Sequence, residues 1–284
     1  ADTHRIPVAL YMHENQLTYP LPAGEKRDLH YGFINYTSML AADRVFFNSR
    51  FHLEALFDEL PRLLKHFPDY NELESISALR QKSEVLPVGL DLARLDAFRP
   101  AAPREGPPLL LWNHRWEYDK QPAEFFQALY RLAEEGLDFR VALAGENLRV
   151  APQEFEEARS RLAGRIVHYG YVEHFADYAR LLWAADLLPV TSAHEFFGVS
   201  VVEAIYCDVL PLLPARLTYP DLIPAEWAGA CLYCDFEGLV AALRRCIRDV
   251  EGCRRVSLRP AVERFDWRSL IGEYDARLEG VGRR

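Results

Sequence analysis

The stretch Ser192-Ala193-His194-Glu195-Phe196-Phe197-Gly198-Val199-Ser200-Val201-Val202-Glu203-Ala204 decides the reading of this chain, because it sets two carboxylates eight positions apart across a glycine. The apolar run from Leu187 to Val190 ahead of it reads as a buried strand, the polar stretch through Gly198 as a loop, and Val199 to Tyr206 as a helix with an apolar face. A helix start in that position leaves the amide hydrogens of Gly198, Val199 and Ser200 free for a ligand. It favours an anion, usually a phosphate, while Glu195 on the loop can accept hydrogen bonds from vicinal hydroxyls. Phosphate beside polyol points to a nucleotide sugar. Taken alone, the same residues also fit a Glu195 that caps the helix and a solvated Glu203.

A second unit has the same layout. Leu109 to Asn113 reads as a strand, His114-Arg115-Trp116-Glu117-Tyr118-Asp119-Lys120 as its loop, and Pro122 opens a helix at its first turn. Breaking a bond to a nucleoside diphosphate builds negative charge on the leaving oxygens. Fixed cations in a partly dehydrated cleft, here Arg115 and Lys120, stabilise that charge without solvent reorganisation. A third segment, Pro7-Val8-Ala9-Leu10-Tyr11-Met12-His13-Glu14-Asn15-Gln16-Leu17-Thr18-Tyr19-Pro20, is an apolar strand that stops in hydrogen-bonding residues. Strand ends are where open α/β sheets place their ligands.

Glu195 and Glu203 resemble the Glu-seven-residues-Glu motif of retaining glycosyltransferases built from two Rossmann-like lobes, the GT-B architecture, and Arg115 and Lys120 match the spacing of that family's Arg and Lys. His13-Glu14-Asn15-Gln16-Leu17-Thr18-Tyr19-Pro20 and Leu111-Trp112-Asn113-His114-Arg115-Trp116-Glu117-Tyr118-Asp119-Lys120 are similar to a narrower group, the tRNA-queuosine alpha-mannosyltransferases. The resemblance spans nearly the whole chain. It implies transfer of mannose from GDP-mannose to the cyclopentenediol of queuosine in a tRNA anticodon, with retention and without a metal or other cofactor. It also implies roles. His13 and Glu195 are the catalytic contacts to the transferred sugar; Arg115, Lys120, Gly198, Val199, Ser200 and Glu203 bind the donor, with Glu203 on the ribose; Glu14, Asn15, Gln16 and Tyr19 are acceptor-side candidates. A leaving phosphate oxygen receives the acceptor proton, so no side chain is assigned as general base. Two alternatives stay open: a GT-B enzyme acting on a lipid, glycan or small molecule, and a non-catalytic nucleotide-sugar-binding fragment.

Composition sets bounds on these readings. The chain has 284 residues, half of them apolar and about a quarter charged, which supports two compact lobes. No apolar run is long enough to span a bilayer and no secretory signal is recognisable, so a cytoplasmic protein without membrane contact is expected. Five cysteines in no framework spacing fit reduced thiols. Cys231 and Cys234 form a CxxC read as part of a strand end, since structural zinc would need a second ligand pair. A net charge of −9 argues against coating nucleic acid by bulk electrostatics. A tRNA partner would then need a local basic face, for which Arg244, Arg245, Arg248, Arg254, Arg255, Arg259, Arg264 and Arg268 are the candidates. Oligomeric state is not legible.

Apolar runs alternate with amphipathic segments as in a parallel α/β sheet. The first lobe is expected over residues 1–98, with strands near 6–12, 44–48 and 84–88, helices near 28–42 and 50–66, and a polar segment without a long helix over 68–82. Residues 99–108, rich in Pro, Ala and charge, read as a hinge. The nucleotide-sugar lobe is expected over 109–266, and the amphipathic run from 267 resembles the helix that crosses back to the first lobe. Only three strands precede the hinge, so the first lobe is expected to lack its N-terminal strand-helix units and the chain to be a fragment or trimmed product.

Overall fold

In the computed structural model, residues 6–281 are described apart from 22, 23, 25, 68, 70 and 146–152. Each apolar run with Val, Ile, Leu or Phe at its centre becomes a parallel strand, and each amphipathic run after it becomes a covering helix. The chain divides into two compact units, one formed by the residues up to Gly89 with those from Trp267 onward, the other by Leu90–Asp266.

The first unit holds a three-stranded parallel sheet, β1 (Ala9–Met12), β2 (Arg44–Phe47) and β3 (Ser83–Val85), in that order. Helices α1 (Leu29–Ala41) and α2 (Arg50–Lys65) follow β1 and β2. Asp28 and Ser49 cap them by accepting from the amides of His30 and His52. Met39, Val45, Phe47, Leu56, Leu60 and Leu79 lie in its core. The polar segment expected to hold no long helix contains a short one, α3 (Ser75–Gln81). Its signal is short because only Ile76 and Leu79 turn inward, and the remaining residues are polar apart from Ala78. The terminal helix Trp267–Val281 belongs to this unit, with the Tyr274 hydroxyl donating to the Pro87 carbonyl at 2.7 Å.

The second unit is a six-stranded, wholly parallel sheet with the order β6-β5-β4-β7-β8-β9. Its strands are β4 (Leu109–Trp112), β5 (Arg140–Ala144), β6 (Ile166–Gly170), β7 (Leu187–Pro189), β8 (Leu210–Pro214) and β9 (Leu232–Tyr233). The helices that connect β4 through β8 are α4 (Pro122–Glu134), α5 (Gln153–Arg161), α6 (Phe175–Ala184) and α7 (Val199–Tyr206). The chain runs outward from β4 to β6, then returns to the other side of β4 with β7. The connections that leave β4 and β7 therefore run in opposite directions along the sheet, which makes the carboxyl ends of these two strands the crevice where open α/β sheets bind ligands.

The division falls at Gly89/Leu90, not after residue 98, and the reason is packing. Leu92 and Leu95 are buried, the Leu90 amide donates to the Phe265 carbonyl at 2.8 Å, and the Trp183 indole donates to the Leu95 carbonyl at 2.8 Å. These contacts tie residues 90–98 to the second unit. Cys231 is buried and Cys234 exposed, one on each side of β9. Among the described residues no helix is long and apolar enough to cross a membrane.

Candidate active site

The loop after β7 carries Glu195 and ends at Gly198, which adopts φ 91°. That left-handed conformation suits glycine and lets the chain turn sharply into α7. Within the helix the first amides to bond back are those of Val201 and Val202, both to the Gly198 carbonyl at 3.0 Å. The amides of Gly198, Val199 and Ser200 stand ahead of that ladder, at the positive end of the helix. Glu195 bends over the same turn. Its Oε1 accepts from the amides of Phe196 at 3.1 Å and Phe197 at 3.4 Å, which leaves Oε2 to face the crevice wall.

That wall comes from the loop after β4. A short turn, Tyr118–Lys120, is fixed to the β7 loop by three hydrogen bonds: the Ala193 amide to the Asp119 carbonyl at 2.7 Å, and the Thr191 hydroxyl to the carbonyls of Lys120 at 2.7 Å and Gln121 at 3.1 Å. Lys120, only 7% exposed, sends its ammonium to the His194 carbonyl at 3.0 Å, to Asp119 Oδ2 at 3.0 Å and to Glu195 Oε2 at 3.5 Å. Two motifs far apart in sequence thus meet at one cation. Arg115 lies differently. It is exposed, pairs with Glu117 at 3.2 Å, and lines a cavity beside the crevice.

Behind the crevice Asn113 and His114, at the end of β4, clamp the start of α7. Asn113 Nδ2 donates to the Ser200 carbonyl at 2.8 Å, and His114 Nδ1 meets the Ser200 hydroxyl at 3.1 Å. Burial, aided by the Lys120 charge, pushes the His114 imidazole down to about 3, so it is a neutral ring at physiological pH. Glu203 points inward from α7, and its Oε2 accepts from the Tyr178 hydroxyl at 2.8 Å. Burial raises this carboxyl above its usual range, and the Tyr178 hydrogen bond opposes that only in part. A raised carboxyl favours the folded state fully below its unfolded pKa and loses that benefit as pH rises through the folded value. Glu203→Gln is therefore expected to raise the melting temperature at pH 7 and to lose that advantage in acid; equal melting curves for the two proteins across pH would contradict it.

The cavity has a volume of about 370 Å³ and is lined by Asn113, His114, Arg115, Ala144, Gly145 and the segment after β6, including Tyr171, Glu173 and Tyr178. Gly145 sets its floor at φ 152°, and a Cβ there would stand 2.1 Å from the His114 carbonyl oxygen, so no larger residue fits. Glu173 is the one carboxylate among these lining residues, and Tyr171 is exposed at the rim.

In the first unit His13 and Glu14 are exposed at the carboxyl end of β1. The His13 carbonyl accepts from Asn48 Nδ2 at 2.8 Å, and its ring lies 4.8 Å from that of Tyr11. Asn15 is wholly buried, with Oδ1 accepting from the amides of Leu17 at 3.0 Å and Thr18 at 3.1 Å. It builds the turn instead of facing outward as an acceptor-side contact, because a short amide side chain satisfies its own loop. Gln16 Nε2 bonds Glu14 at 2.9 Å, and the carbonyls of Gln16 and Tyr19 both accept from the Arg27 guanidinium.

The arginine-rich stretch considered as a basic face is largely spent on internal contacts. Arg244 pairs with Glu135, Arg254 with Asp186 and Arg259 with Asp96, while Arg245 and Arg264 cap the carbonyls of Ala230 and Asp221. Sequence reasoning passed over Asp119, Asn113, His114, Tyr178 and Glu173. The first three adjoin Arg115 and Lys120 in the chain and could have been found there. Tyr178 and Glu173 reach the site only through the fold.

Residues 94–258, more than half of the chain, match the family described as glycosyl transferases group 1, and residues 1–90 match that described as tRNA-queuosine alpha-mannosyltransferase N-terminal. Among solved structures, sucrose-phosphate synthase from Thermosynechococcus elongatus superposes with a TM-score of 0.68 at 19% identity, over 96% of this chain and 68% of the other. Anabaena HepE gives 0.66 at 18% identity, over 97% and 72%. The fold is that of the GT-B glycosyltransferases, and the second unit that of the group 1 enzymes. A tRNA-queuosine alpha-mannosyltransferase from Drosophila melanogaster is 34% identical over 224 residues, 76% of this chain and 59% of its own length. A GDP-mannose-dependent alpha-(1-6)-phosphatidylinositol dimannoside mannosyltransferase from Mycobacterium tuberculosis is 26% identical over 170 residues, 60% of this chain and 43% of its own. The chain belongs to the group 1 glycosyltransferases, and its residues 1–90 carry the N-terminal domain described for the tRNA-queuosine alpha-mannosyltransferases. It spans about half the length of these curated relatives.

Proposed function

We propose that the protein is a retaining mannosyltransferase that moves mannose from GDP-mannose onto queuosine in a tRNA anticodon. The observation that carries the donor half is the 3.5 Å approach of Lys120 to Glu195 at the crevice between the β4 and β7 loops. Lys120, Arg115 and the amides of Gly198, Val199 and Ser200 neutralise the diphosphate as it leaves, the task a bound metal performs elsewhere. Glu195 takes hydroxyls of the sugar and steadies positive charge growing at the anomeric carbon. Glu203 takes the ribose hydroxyls. A base set in the cavity beside Arg115 meets Glu173, whose carboxylate suits the paired N–H donors of guanine. The acceptor proton passes to a leaving phosphate oxygen. His13 is a sugar contact, and Glu14, Gln16 and Tyr19 are candidates for the acceptor side. The acceptor half rests on the family of residues 1–90. A tRNA acceptor places the reaction in the cytoplasm, with no membrane involved.

The test is direct. The protein is incubated with GDP-mannose or UDP-glucose and bulk tRNA carrying or lacking queuosine, and the nucleosides are weighed by mass spectrometry. A hexose is expected on RNA only with GDP-mannose and only where queuosine is present. Absence of hexose with either donor would refute the proposal; hexose on tRNA lacking queuosine would refute its acceptor half.

A further inference from the structure

We infer that Asp119 is a positioning residue that holds Lys120 while a donor diphosphate displaces Glu195 from it. This rests on the reading of Lys120 as a diphosphate ligand. Asp119 is 1% exposed, and neither of its carboxylate oxygens has a well-aligned hydrogen-bond donor. Among the described residues Lys120, 3.0 Å from Oδ2, is the charge partner found for it. A carboxylate in such a place carries a large desolvation cost, and an apolar residue of similar size would serve stability as well or better.

The arrangement makes chemical sense as a holder. The Lys120 ammonium lies between two carboxylates, so the three side chains together carry a net negative charge that opposes a diphosphate. For the ammonium to grip phosphate oxygens, one carboxylate must yield. Asp119 cannot move easily, because it is buried and its own carbonyl is fastened to the Ala193 amide. Glu195 is partly exposed, touches the ammonium at the longer distance of 3.5 Å, and sits on the loop whose sugar-facing role is proposed above. Arrival of diphosphate then frees Glu195 for the sugar hydroxyls. Asp119 keeps the cation at the crevice wall throughout.

The experiment titrates GDP alone and measures steady-state kinetics for the isosteric Asp119→Asn and for Lys120→Ala. Asp119→Asn is expected to bind GDP about threefold more tightly, since a repelling charge is gone. Its kcat is expected to fall about tenfold, since the cation is no longer held in place. A purely structural role would lower folded protein, GDP binding and turnover together; that outcome, or parental values for both constants, overturns the inference. Should Asp119→Asn fail to fold, Glu195→Gln reads the same competition, and weaker GDP binding there overturns the coupling. Lys120→Ala separates the two levels. If it binds GDP like the parent, the reading of Lys120 itself fails; if it loses GDP while Asp119→Asn is unchanged, only the positioning role fails.

Discussion

Glu195→Gln is expected to lower turnover at least about a hundredfold, equivalent to roughly 3 kcal/mol of transition-state stabilisation, with little change in melting temperature. The substitution keeps the shape of the side chain and its acceptor for the amides of Phe196 and Phe197. What it removes is the negative charge beside Lys120 and next to the developing charge on the sugar. Because Glu195 is only partly buried, folding loses little. The measurement is kcat with GDP-mannose and queuosine-bearing tRNA, alongside a thermal melt. Turnover within a few-fold of the parent would remove Glu195 from the reaction, and with it the crevice between the β4 and β7 loops as the place of chemistry.

Asp186→Ala is expected to cost about 3–5 kcal/mol of stability, because it removes a buried carboxylate and leaves two largely covered guanidinium groups without their partner. Asp186 is 3% exposed and accepts from Arg254 Nε at 2.8 Å and from the Leu109 amide at 2.9 Å, with Arg104 3.6 Å away. Arg104 is itself partly buried, and that burial lowers its affinity for a proton even against the pull of Asp186. The same aspartate stands at the amino end of β7, where its amide bonds the Leu109 carbonyl at 2.8 Å and its carbonyl accepts from Leu210 at 2.9 Å. It therefore pins β4, β7 and β8 side by side at the edge opposite the crevice. A loss of that size corresponds to a drop of roughly 10 °C in melting temperature for a unit of this length. Circular dichroism on heating checks it, and a melt unchanged within about 2 °C would show that the cluster is dispensable.

The strands and helices that build both sheets were legible because each has a strong period. The apolar runs Leu109–Trp112 and Leu187–Pro189 are buried on both faces, as a parallel sheet requires, and α7 spans the residues expected of it. Helix α3 was missed because two inward-facing residues give too weak a pattern. The boundary at Gly89 was misplaced by about nine positions because Leu92 and Leu95 commit residues 90–98 to a partner surface distant in the chain. The arginines after Arg244 looked like a basic face because sequence shows charges without their counterions. Only the fold reveals that Glu135, Asp186 and Asp96 take three of them.

The sequence by itself determined that strands, glycine turns and helix starts alternate, and which acidic and basic residues stand at their ends. Those are local properties, set by periodicity and by the backbone freedom of a residue such as Gly198. The tertiary structure alone decided that the loops after β4 and β7 are neighbours, and so that Lys120 is shared by Asp119 and Glu195. Strand order is fixed by packing of whole strands and helices across the sheet. No stretch of the chain short enough to show a pattern contains that information.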